Sequence, residues 1–469
     1  MVLKMLDAAV TAFLSPKYYP HVVIGAVLTY ALYMYAQGRK TTRERDLHGR
    51  TVLVTGAFTP IGLTLLDALA KRGAHIIALS PDPVDTGPSN VLVPLLRSTH
   101  NNELIYAEHC DLRSPASIRA FVASLVKTEN QRIDAVVFAH EYAPMDSIFG
   151  TKARPRAAVD KERREASAAT FLLITLLLPL LLVAPVERDI RLITLINPFY
   201  AAAAGRFAVP APTARRPAPL LFAEGRRALR SAVLMRHLQR VLDALPSGGQ
   251  VPRTDALAQT VTVISGKKQR SNIVAVSVSP GVNRSDVVAP LLGADFSRGV
   301  TSWRGLVIYI LFNPLLRLFT KSAASSLETV LHALFLPTPF KLFQATAVES
   351  EDASTPAPAR RAQAEVLKPG ALYAECSVIP LHVPPASPPP APDGAPEAKL
   401  DEPDDGELGG VALGTAVWEE FERELKKWEA EEKQAGGRRE KQEGSRGGTN
   451  TPPTVDEDVP TVDEGPRGE

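Results

Sequence analysis

A short stretch with two glycines, TVLVTGAFTPIG at residues 51–62, has the residue types that can hold a phosphate group. An apolar run leads into Gly56, which can form a tight turn, and Gly62 lets a following helix approach the strand. The free N–H groups at the start of such a helix attract a pyrophosphate. Pro60, after Thr59 as N-cap, suits the first helical position but adds a ring where a ligand would approach. Two interpretations stay open: a capped helix without a ligand, and weakened nucleotide binding.

An aspartate follows the next apolar run of the chain. Asp82 lies between Pro81 and Pro83, just after HIIALS at 75–80. A carboxylate in this place can accept hydrogen bonds from a ribose, and no arginine stands there for a 2′-phosphate. If a dinucleotide binds, weak binding of NAD or NADP is expected, with NAD favoured.

The elements that would position these residues are indicated by alternating apolar runs and helical patterns. Predicted strands cover 51–56, 75–80, 104–111, 134–140, 191–197 and 272–280. Predicted helices cover 61–72, 114–128, 161–184 and 222–245, and irregular insertions are expected at 82–103 and 246–271. Strands that are apolar throughout and alternate with helices predict an α/β fold with a doubly wound parallel sheet.

Composition excludes several classes of function. The 469 residues include 53 basic and 51 acidic ones, for a net charge of +2, so no nucleic-acid partner is predicted. Cys110 and Cys376 lie far apart in the sequence, and the nine histidines form no HxxxH or HExxH pair. No metal site and no disulfide framework are therefore predicted.

A hydrophobic segment near the N-terminus predicts a membrane anchor. A leader at 1–20 precedes the uncharged segment 21–37, and a basic linker follows at 38–50. At about 1.5 Å per residue the apolar part is about 24 Å long, which suits a thin membrane with Tyr18 and Tyr19 at the interface. A secretory signal peptide is the alternative. The basic linker predicts a single-pass protein of an intracellular membrane, its soluble domain on the cytosolic or matrix side.

Two later segments are also strongly apolar. Residues 171–186 are interrupted by Pro179 and lie between two predicted strands, so a buried helix is predicted there. Residues 303–319 are predicted either to pack in the core or to lie in a lipid headgroup plane, with Arg304 and Arg317 at the flanks.

The C-terminal part changes character. The predicted divisions are a domain at 51–345, a linker and covering segment at 346–382, a Pro-rich spacer at 383–416, an amphipathic helix at 417–433 and a disordered tail at 434–469. Within 346–382, residues 370–381 are predicted to form either one last strand or a covering segment. Trp418, Phe421, Leu425 and Trp428 form one stripe of that helix, which predicts either docking to a partner protein or folding back on the domain.

The order of elements and three local motifs resemble the short-chain dehydrogenase/reductase superfamily over about residues 51–340. TGAFTPIG is similar to its TGxxxGxG loop, CDL at 110–112 to the acidic residue after the third strand, and SPGVNRSD at 279–286 to the PG turn after the sixth. The resemblance implies a Rossmann-like fold and a cofactor-binding set comprising Thr55, Gly56, Thr59, Gly62, Asp82, Asp111, Pro280 and Gly281. More loosely, the chain resembles a fungal membrane-anchored family of unknown function, and mitochondria are one candidate location.

The catalytic residues of that superfamily are not matched. Its tyrosine acid and the lysine four residues later align with Phe222 and Arg226, and its serine aligns with Asn197 or Pro198. No tyrosine of the chain is followed by lysine at the fourth position. No catalytic residue is therefore predicted, with Tyr200 as a displaced acid the alternative.

Two other features bear on this region. His140 replaces a small residue at the end of the fourth predicted strand and is expected to be structural. Five arginines predict a basic face on the helix from 222, either solvated or in contact with acidic lipid or a partner: residues 226, 227, 230, 236 and 240.

The predicted function is a membrane-anchored, catalytically inactive protein that senses a nucleotide or acts as a scaffold. The alternative is an NAD(P)-dependent oxidoreductase that acts on a membrane-borne lipid or ketone through non-standard residues. Purely structural interaction through 417–433 is a third possibility.

Overall fold

Eight strands form the sheet around which the chain is folded. They are β1 Thr51–Thr55, β2 His75–Ser80, β3 Ile105–His109, β4 Ala135–Phe138, β5 Ile190–Leu195, β6 Ile273–Ser279, β7 Leu372–Ala374 and β8 Ser377–Val378. In this computed structural model the described residues are 16–85, 87–127, 132–143, 147–149, 156–184, 188–209, 218–245, 271–295, 302–339, 365–385 and 406–446.

Helices account for most of the remaining described structure. They are α1 Tyr19–Gln37, α2 Pro60–Ala70, α3 Ser89–His100, α4 Pro115–Lys127, α5 Arg156–Leu182, α6 Tyr200–Ala203, α7 Leu220–Ala244, α8 Ala289–Leu292, α9 Trp303–Leu311, α10 Asn313–Phe319, α11 Ala323–Phe335 and α12 Gly410–Arg446. Single 3₁₀ turns lie at Pro16–Tyr18, Ala204–Arg206 and Glu407–Gly409, and a π-helical turn lies at Arg284–Val288.

The strand order is β3-β2-β1-β4-β5-β6-β7-β8. Strands β1 to β7 are parallel, and β8 pairs antiparallel with β7. The order turns back at β1, which makes the sheet doubly wound. Because helices cover both faces, β1, β4, β5 and β6 are buried at every residue. The predicted fold class is confirmed.

One segment differs from the predicted elements. The segment 82–103, expected to be irregular, contains helix α3, in which Val93 is buried although Pro94 lies inside the helix. The sheet continues beyond residue 345, as one of the two alternatives predicted for 370–381, because β7 is a further parallel strand next to β6. Residues 246–270 and 340–364 lie outside the described residues.

Helix α5 contains the apolar segment 171–186 up to Leu182. Its part Ala158–Leu182 is the one helix of the described residues that is long and apolar enough to cross a membrane by length and composition. Yet Phe171, Leu173 and Leu177 are at most 2% exposed, since they pack inside the fold. The segment therefore forms a core helix.

The predicted anchor segment forms helix α1, which is 19 residues long and exposed along nearly its whole length. It carries no acidic or basic residue. Of its residues only Gln37, the last, is buried. The predicted leader falls largely outside the described residues.

The end of α1 is fastened to the start of α11. The Gln37 amide donates to the Thr320 carbonyl at 3.2 Å and accepts from the Ser322 N–H at 3.1 Å and the Ser325 hydroxyl at 2.8 Å. The Thr41 N–H donates to Glu328 at 2.9 Å. These buried bonds hold the basic linker against α11 rather than leaving it free.

Helix α12 is longer than the predicted 417–433 and begins within the predicted spacer. Leu413, Val417 and Phe421 are fully buried, in one cluster with Phe171 of α5 and Leu229 of α7. The helix thus folds back on its own domain, as one of the two alternatives predicted. It also continues to Arg446, into the segment 434–469 that was expected to be disordered. Residues from Lys426 onward form a separate unit.

Candidate functional site

The glycine turn after β1 is shaped by contacts within the protein. Gly56 has φ +64°, and a side chain there would lie 2.7 Å from the backbone nitrogen of His140. A side chain at Gly62 would lie 2.2 Å from the Gly56 carbonyl oxygen. Both glycines are therefore required by the fold itself, because the turn lies against β4 and α2 lies against the turn. Their presence alone does not indicate a ligand.

The N–H groups at the start of α2 are all used internally. Thr59 is the N-cap: its hydroxyl accepts from the Gly62 N–H at 3.2 Å and donates to the Gly56 carbonyl at 2.8 Å. The Thr59 N–H donates to Gly56 as well, and Pro60, at the first helical position, has no N–H. The Ile61 N–H donates to Asp286 Oδ1 at 3.1 Å.

Asp286 places a carboxylate where a phosphate would meet the helix. It is 2% exposed, and its other oxygen accepts from the Asn283 amide at 2.8 Å and the Ser285 hydroxyl at 3.2 Å. A negative charge at a helix N-terminus is stabilised by the exposed N–H groups. The loop after β6 thus supplies an internal anion to the turn after β1.

Tyr142 joins the ends of β4 and β6 beneath this contact. It is fully buried, and its hydroxyl donates to the Gly281 carbonyl at 2.7 Å and accepts from the Asn283 N–H at 3.3 Å. Burial and the nearby Asp286 carboxylate raise the pKa of Tyr142 well above its usual value. A tyrosine held protonated in this way serves as a structural donor.

His140 is held between β1 and α5. Its Nε2 lies 3.1 Å from the Ala166 carbonyl, to which it donates, so Nδ1 accepts from the Thr55 hydroxyl at 2.7 Å. Burial lowers the pKa of His140. The neutral ring therefore links two elements, as expected for a structural histidine.

The stability of the domain should fall as pH decreases below about 6.5, the ordinary histidine pKa. In that range the unfolded chain takes up a proton that folded His140 resists, so the unfolded state is favoured. The variant His140→Gln should show a shallower loss of unfolding free energy between about pH 6.5 and pH 5, measured by urea denaturation. His382→Gln, at an exposed position, is the control and should keep the wild-type slope. An unchanged slope in His140→Gln would contradict the assignment.

The remaining members of the predicted cofactor set serve local turns. Asp82 is exposed, and its N–H donates to the Ser80 hydroxyl at 3.3 Å. Asp111 accepts from the Arg113 N–H at 2.9 Å, so it caps the turn before α4. Pro280 is buried, and Gly281, at φ +91°, lies under the Lys321 side chain.

A buried group of charges adjoins Asn197, the position aligned with the missing catalytic serine. Glu224, 4% exposed, accepts two bonds from Arg163, at 2.8 and 2.7 Å, and one from Arg227 at 3.2 Å. The Asn197 amide donates to the same carboxylate at 3.1 Å. Burial alone would raise the pKa of Glu224, but the two guanidinium groups hold it below its ordinary value. Asn197 thus stabilises an ion pair and faces no open site.

A second buried carboxylate continues this group. Glu141, 1% exposed, accepts from the hydroxyls of Ser231 and Thr170, each at 2.5 Å, and from Arg227 at 3.5 Å. Arg227 also donates to the Glu141 carbonyl. We call Arg163, Glu224, Arg227 and Glu141 the buried charge network. It was missed in the sequence because Arg227 was assigned to a basic helix face.

Phe222 and Arg226, the aligned tyrosine and lysine positions, do not enter the network. Phe222 packs at the edge of the apolar cluster that includes α12, and Arg226 lies near Glu420 of the same helix. Arg230 is buried too: it pairs with Glu424 at 2.8 Å and its guanidinium lies 4.4 Å from the Phe421 ring centroid. The predicted solvated face is wrong at these positions, because α12 covers it.

Tyr200, the alternative acid, has an unsuitable environment. Burial and the charge of Glu375 raise its pKa. A tyrosine acid of the resembling family works with a lowered pKa, supplied by a neighbouring cation. The charged group that acts on Tyr200 is instead the carboxylate of Glu375, which pairs with Lys321 at 2.5 Å. No cluster of potential metal ligands occurs within the part of the chain described.

Comparisons with known proteins agree with the fold. The family model described as KR domain matches residues 50–151. An uncharacterized oxidoreductase of Saccharomyces cerevisiae, YNL181W, is 29% identical over 332 residues, covering 68% of this chain and 75% of that protein. The uncharacterized oxidoreductase pbr1 of Schizosaccharomyces pombe is 29% identical over 170 residues, covering 36% and 44%. Mouse retinol dehydrogenase 13 is 35% identical over 120 residues, covering 25% and 35%.

Among solved structures, an NADPH-bound short chain oxidoreductase from Pseudomonas aeruginosa covers 61% of this chain and 90% of its own, at 14% identity and a TM-score of 0.41. The doubly wound sheet with a glycine turn after β1 places the protein in the Rossmann-fold class. Within that class, the matched family model and the yeast relative support a member of the short-chain dehydrogenase/reductase superfamily, from whose catalytic pattern the chain departs at Asn197, Phe222 and Arg226.

The residues at the glycine turn do not fit the dinucleotide that this superfamily implies. A pyrophosphate needs free N–H groups at the start of α2, but those of Thr59, Ile61 and Gly62 are already bonded. It would also meet the carboxylate of Asp286. Two unit charges of the same sign at about 4 Å repel by about 4 kcal/mol near a protein surface.

Proposed function

We propose that this chain is a membrane-anchored, catalytically inactive member of its superfamily that acts as a scaffold at an intracellular membrane. The observation that carries this proposal is the buried charge network, whose Glu224 binds Asn197, so that a salt-bridged group adjoins the position aligned with the catalytic serine. A scaffold is favoured over a nucleotide sensor because Asp286 occupies the start of α2. Anchoring is supported by the uncharged, exposed helix α1 and the basic residues that follow it.

A partner protein at 417–433 would have to compete with the chain itself. The apolar side of α12 between Leu413 and Phe421 is buried against α5 and α7. Partner binding through this face therefore requires displacement of α12 from the domain.

The alternative function is an NAD(P)-dependent oxidoreductase acting on a membrane-borne lipid or ketone. The names of the two yeast relatives, both oxidoreductases, favour it. This function requires Asp286 to leave the start of α2. It also requires another residue to act as the general acid, because Phe222, at the aligned tyrosine position, has no acidic proton.

Calorimetric titration of the full chain in detergent micelles with NAD, NADH, NADP and NADPH tests the proposal. The wild type should show no saturable heat with any of the four. Asp286→Asn removes the repelling charge and should gain measurable affinity, by roughly tenfold or more if about 1.4 kcal/mol of repulsion is relieved. The control Asp67→Asn removes an exposed charge from α2, the helix whose start Asp286 contacts, and should behave as wild type.

Wild-type binding that is lost in Gly56→Trp would contradict the assignment of a closed loop. Oxidation of NADH or NADPH in the presence of lipid carbonyls would favour the oxidoreductase instead. Both outcomes can be read from the same preparation.

A further inference from the structure

The two helices that follow the loop after β6 expose large apolar side chains. The exposed fractions are 74% for Trp303, 61% for Ile310, 69% for Leu311, 46% for Phe312, 48% for Leu315 and 54% for Phe319. We call α9 and α10 with these side chains the apolar hairpin. Core packing, one of the two sequence-based alternatives for 303–319, is excluded by these exposures. Single exposed apolar residues are ordinary, but a contiguous group of this size indicates an interaction surface.

The apolar hairpin is held firmly although its outer side is uncovered. Gly305, its one buried residue, lies so close to the Leu292 carbonyl that a side chain there would be 1.6 Å from the oxygen. The Ser302 hydroxyl accepts from the Gly305 N–H at 3.3 Å and caps α9. The exposed side chains are therefore presented in a fixed orientation.

The hairpin is continuous with the anchor helix. Helix α10 packs against α1, whose Val27, Leu28 and Tyr30 are 61%, 64% and 65% exposed. Gln37 at the end of α1 bonds to Thr320, the residue that follows α10. The two apolar surfaces thus form one surface, and whatever covers the hairpin must also cover the exposed side of α1.

The charges around this surface match a lipid headgroup layer. The segment 303–319 contains no aspartate or glutamate, and its two arginines, Arg304 and Arg317, are exposed. Arg39 and Lys40, just after α1, are exposed as well. Basic residues that flank an apolar helical face are typical of elements that lie in the interface of a membrane with anionic lipids.

The position of the hairpin shows which edge of the sheet lies next to it. Lys321, just after α10, pairs through its N–H with the Val282 carbonyl at 3.0 Å, directly beyond the end of β6. The ends of parallel strands share one edge of a sheet. The anchor and the apolar hairpin therefore leave the domain at the carboxyl edge.

We propose that the apolar hairpin inserts into the headgroup layer beside the anchor, so that the domain lies on the bilayer with the carboxyl edge of its sheet toward the lipid. The proposal rests on the membrane anchoring in the proposed function. It adds a second point of contact, which fixes the orientation of the domain.

Spin-label accessibility in the full chain tests the proposal. The chain is reconstituted in nanodiscs of phosphatidylcholine and phosphatidylserine, in a Cys376→Ser background in which Cys110 stays buried. Single labels are placed through Ile310→Cys, Tyr30→Cys and Val126→Cys. Val126 is the matched control, because it is 58% exposed against 61% for Ile310 but ends α4, which leads to the opposite edge of the sheet.

The label at 310 is expected to be accessible to oxygen and protected from a water-soluble nickel chelate, like the label at 30, whereas the label at 126 is reached by the chelate. If the label at 310 behaves like that at 126 while the label at 30 is protected, the hairpin lies in water and the proposal is wrong. If 310 is protected from both reagents, a protein surface covers it and the proposal is also wrong. If the label at 30 is itself reached by the chelate, the anchoring fails and the proposed function with it.

Discussion

Glu224→Ala is expected to lower the free energy of unfolding by about 3 to 5 kcal/mol. The substitution leaves Arg163 and Arg227 buried without the carboxylate to which both donate, and it removes the acceptor of the Asn197 amide. Removing one partner of a buried ion pair costs more than the pair itself contributes, because the remaining charge stays desolvated. Urea denaturation of the full chain in micelles, followed by circular dichroism, gives the change in midpoint.

The matched control for this substitution is Glu162→Ala, next to Arg163 on α5. Glu162 pairs with Arg113 at 3.3 Å, and the Arg113 side chain is 71% exposed. A solvated pair of this kind contributes about 0 to 1 kcal/mol. Equal effects of the two substitutions would show that the network at Glu224 is hydrated and contributes little to stability.

Phe421→Ala is the second substitution with a large expected effect, about 3 to 5 kcal/mol. The Phe421 ring is fully buried, stacks on Phe171 with centroids 5.5 Å apart, and lies under the Arg230 guanidinium. Its loss removes apolar burial and a cation–π contact together. Hydrogen exchange of the backbone amides in 410–425 should become much faster, while the amides of β1 and β4 keep their protection.

Arg423→Ala is the control for this experiment, since Arg423 is exposed on the same helix. It should leave exchange in 410–425 unchanged within a few-fold. If Phe421→Ala also leaves it unchanged, α12 is held by contacts other than the aromatic cluster. Faster exchange at β1 as well would mean that α12 and the sheet unfold together.

Local patterns were enough to predict the sheet and the start of α2. Strands that are apolar throughout gave β1 to β6, and Thr59 followed by Pro60 predicted the N-cap that the structure contains. These features depend on residues close together in the chain. Their free energies come from local hydrogen bonding and from burial, which the residue types reveal directly.

The side-chain pairs at the site could not be predicted, because they join residues that are far apart in the sequence. Asp286 reaches the N–H of Ile61 from 225 positions away, and Glu224 pairs with Arg163 across 61. Arg227 and Arg230 gave a helical spacing typical of a solvated face, which was wrong because α12 and the network bury them. A sequence shows that charges lie on one helical side, but not which distant carboxylates neutralise them.

The pairing of β6 with β7 has a consequence during synthesis. Residues 280–371 separate the two strands. Until β7 has emerged from the ribosome, the edge of β6 that pairs with β7 is therefore unpaired, although every residue of β6 is buried in the folded protein. Unpaired strand edges of this kind are sites of aggregation in incompletely folded chains. By that time α1 has already left the ribosome. In the anchoring proposed above, nascent chains would be tethered to the membrane through α1, and kept apart from one another, in the interval in which their sheets are most prone to associate.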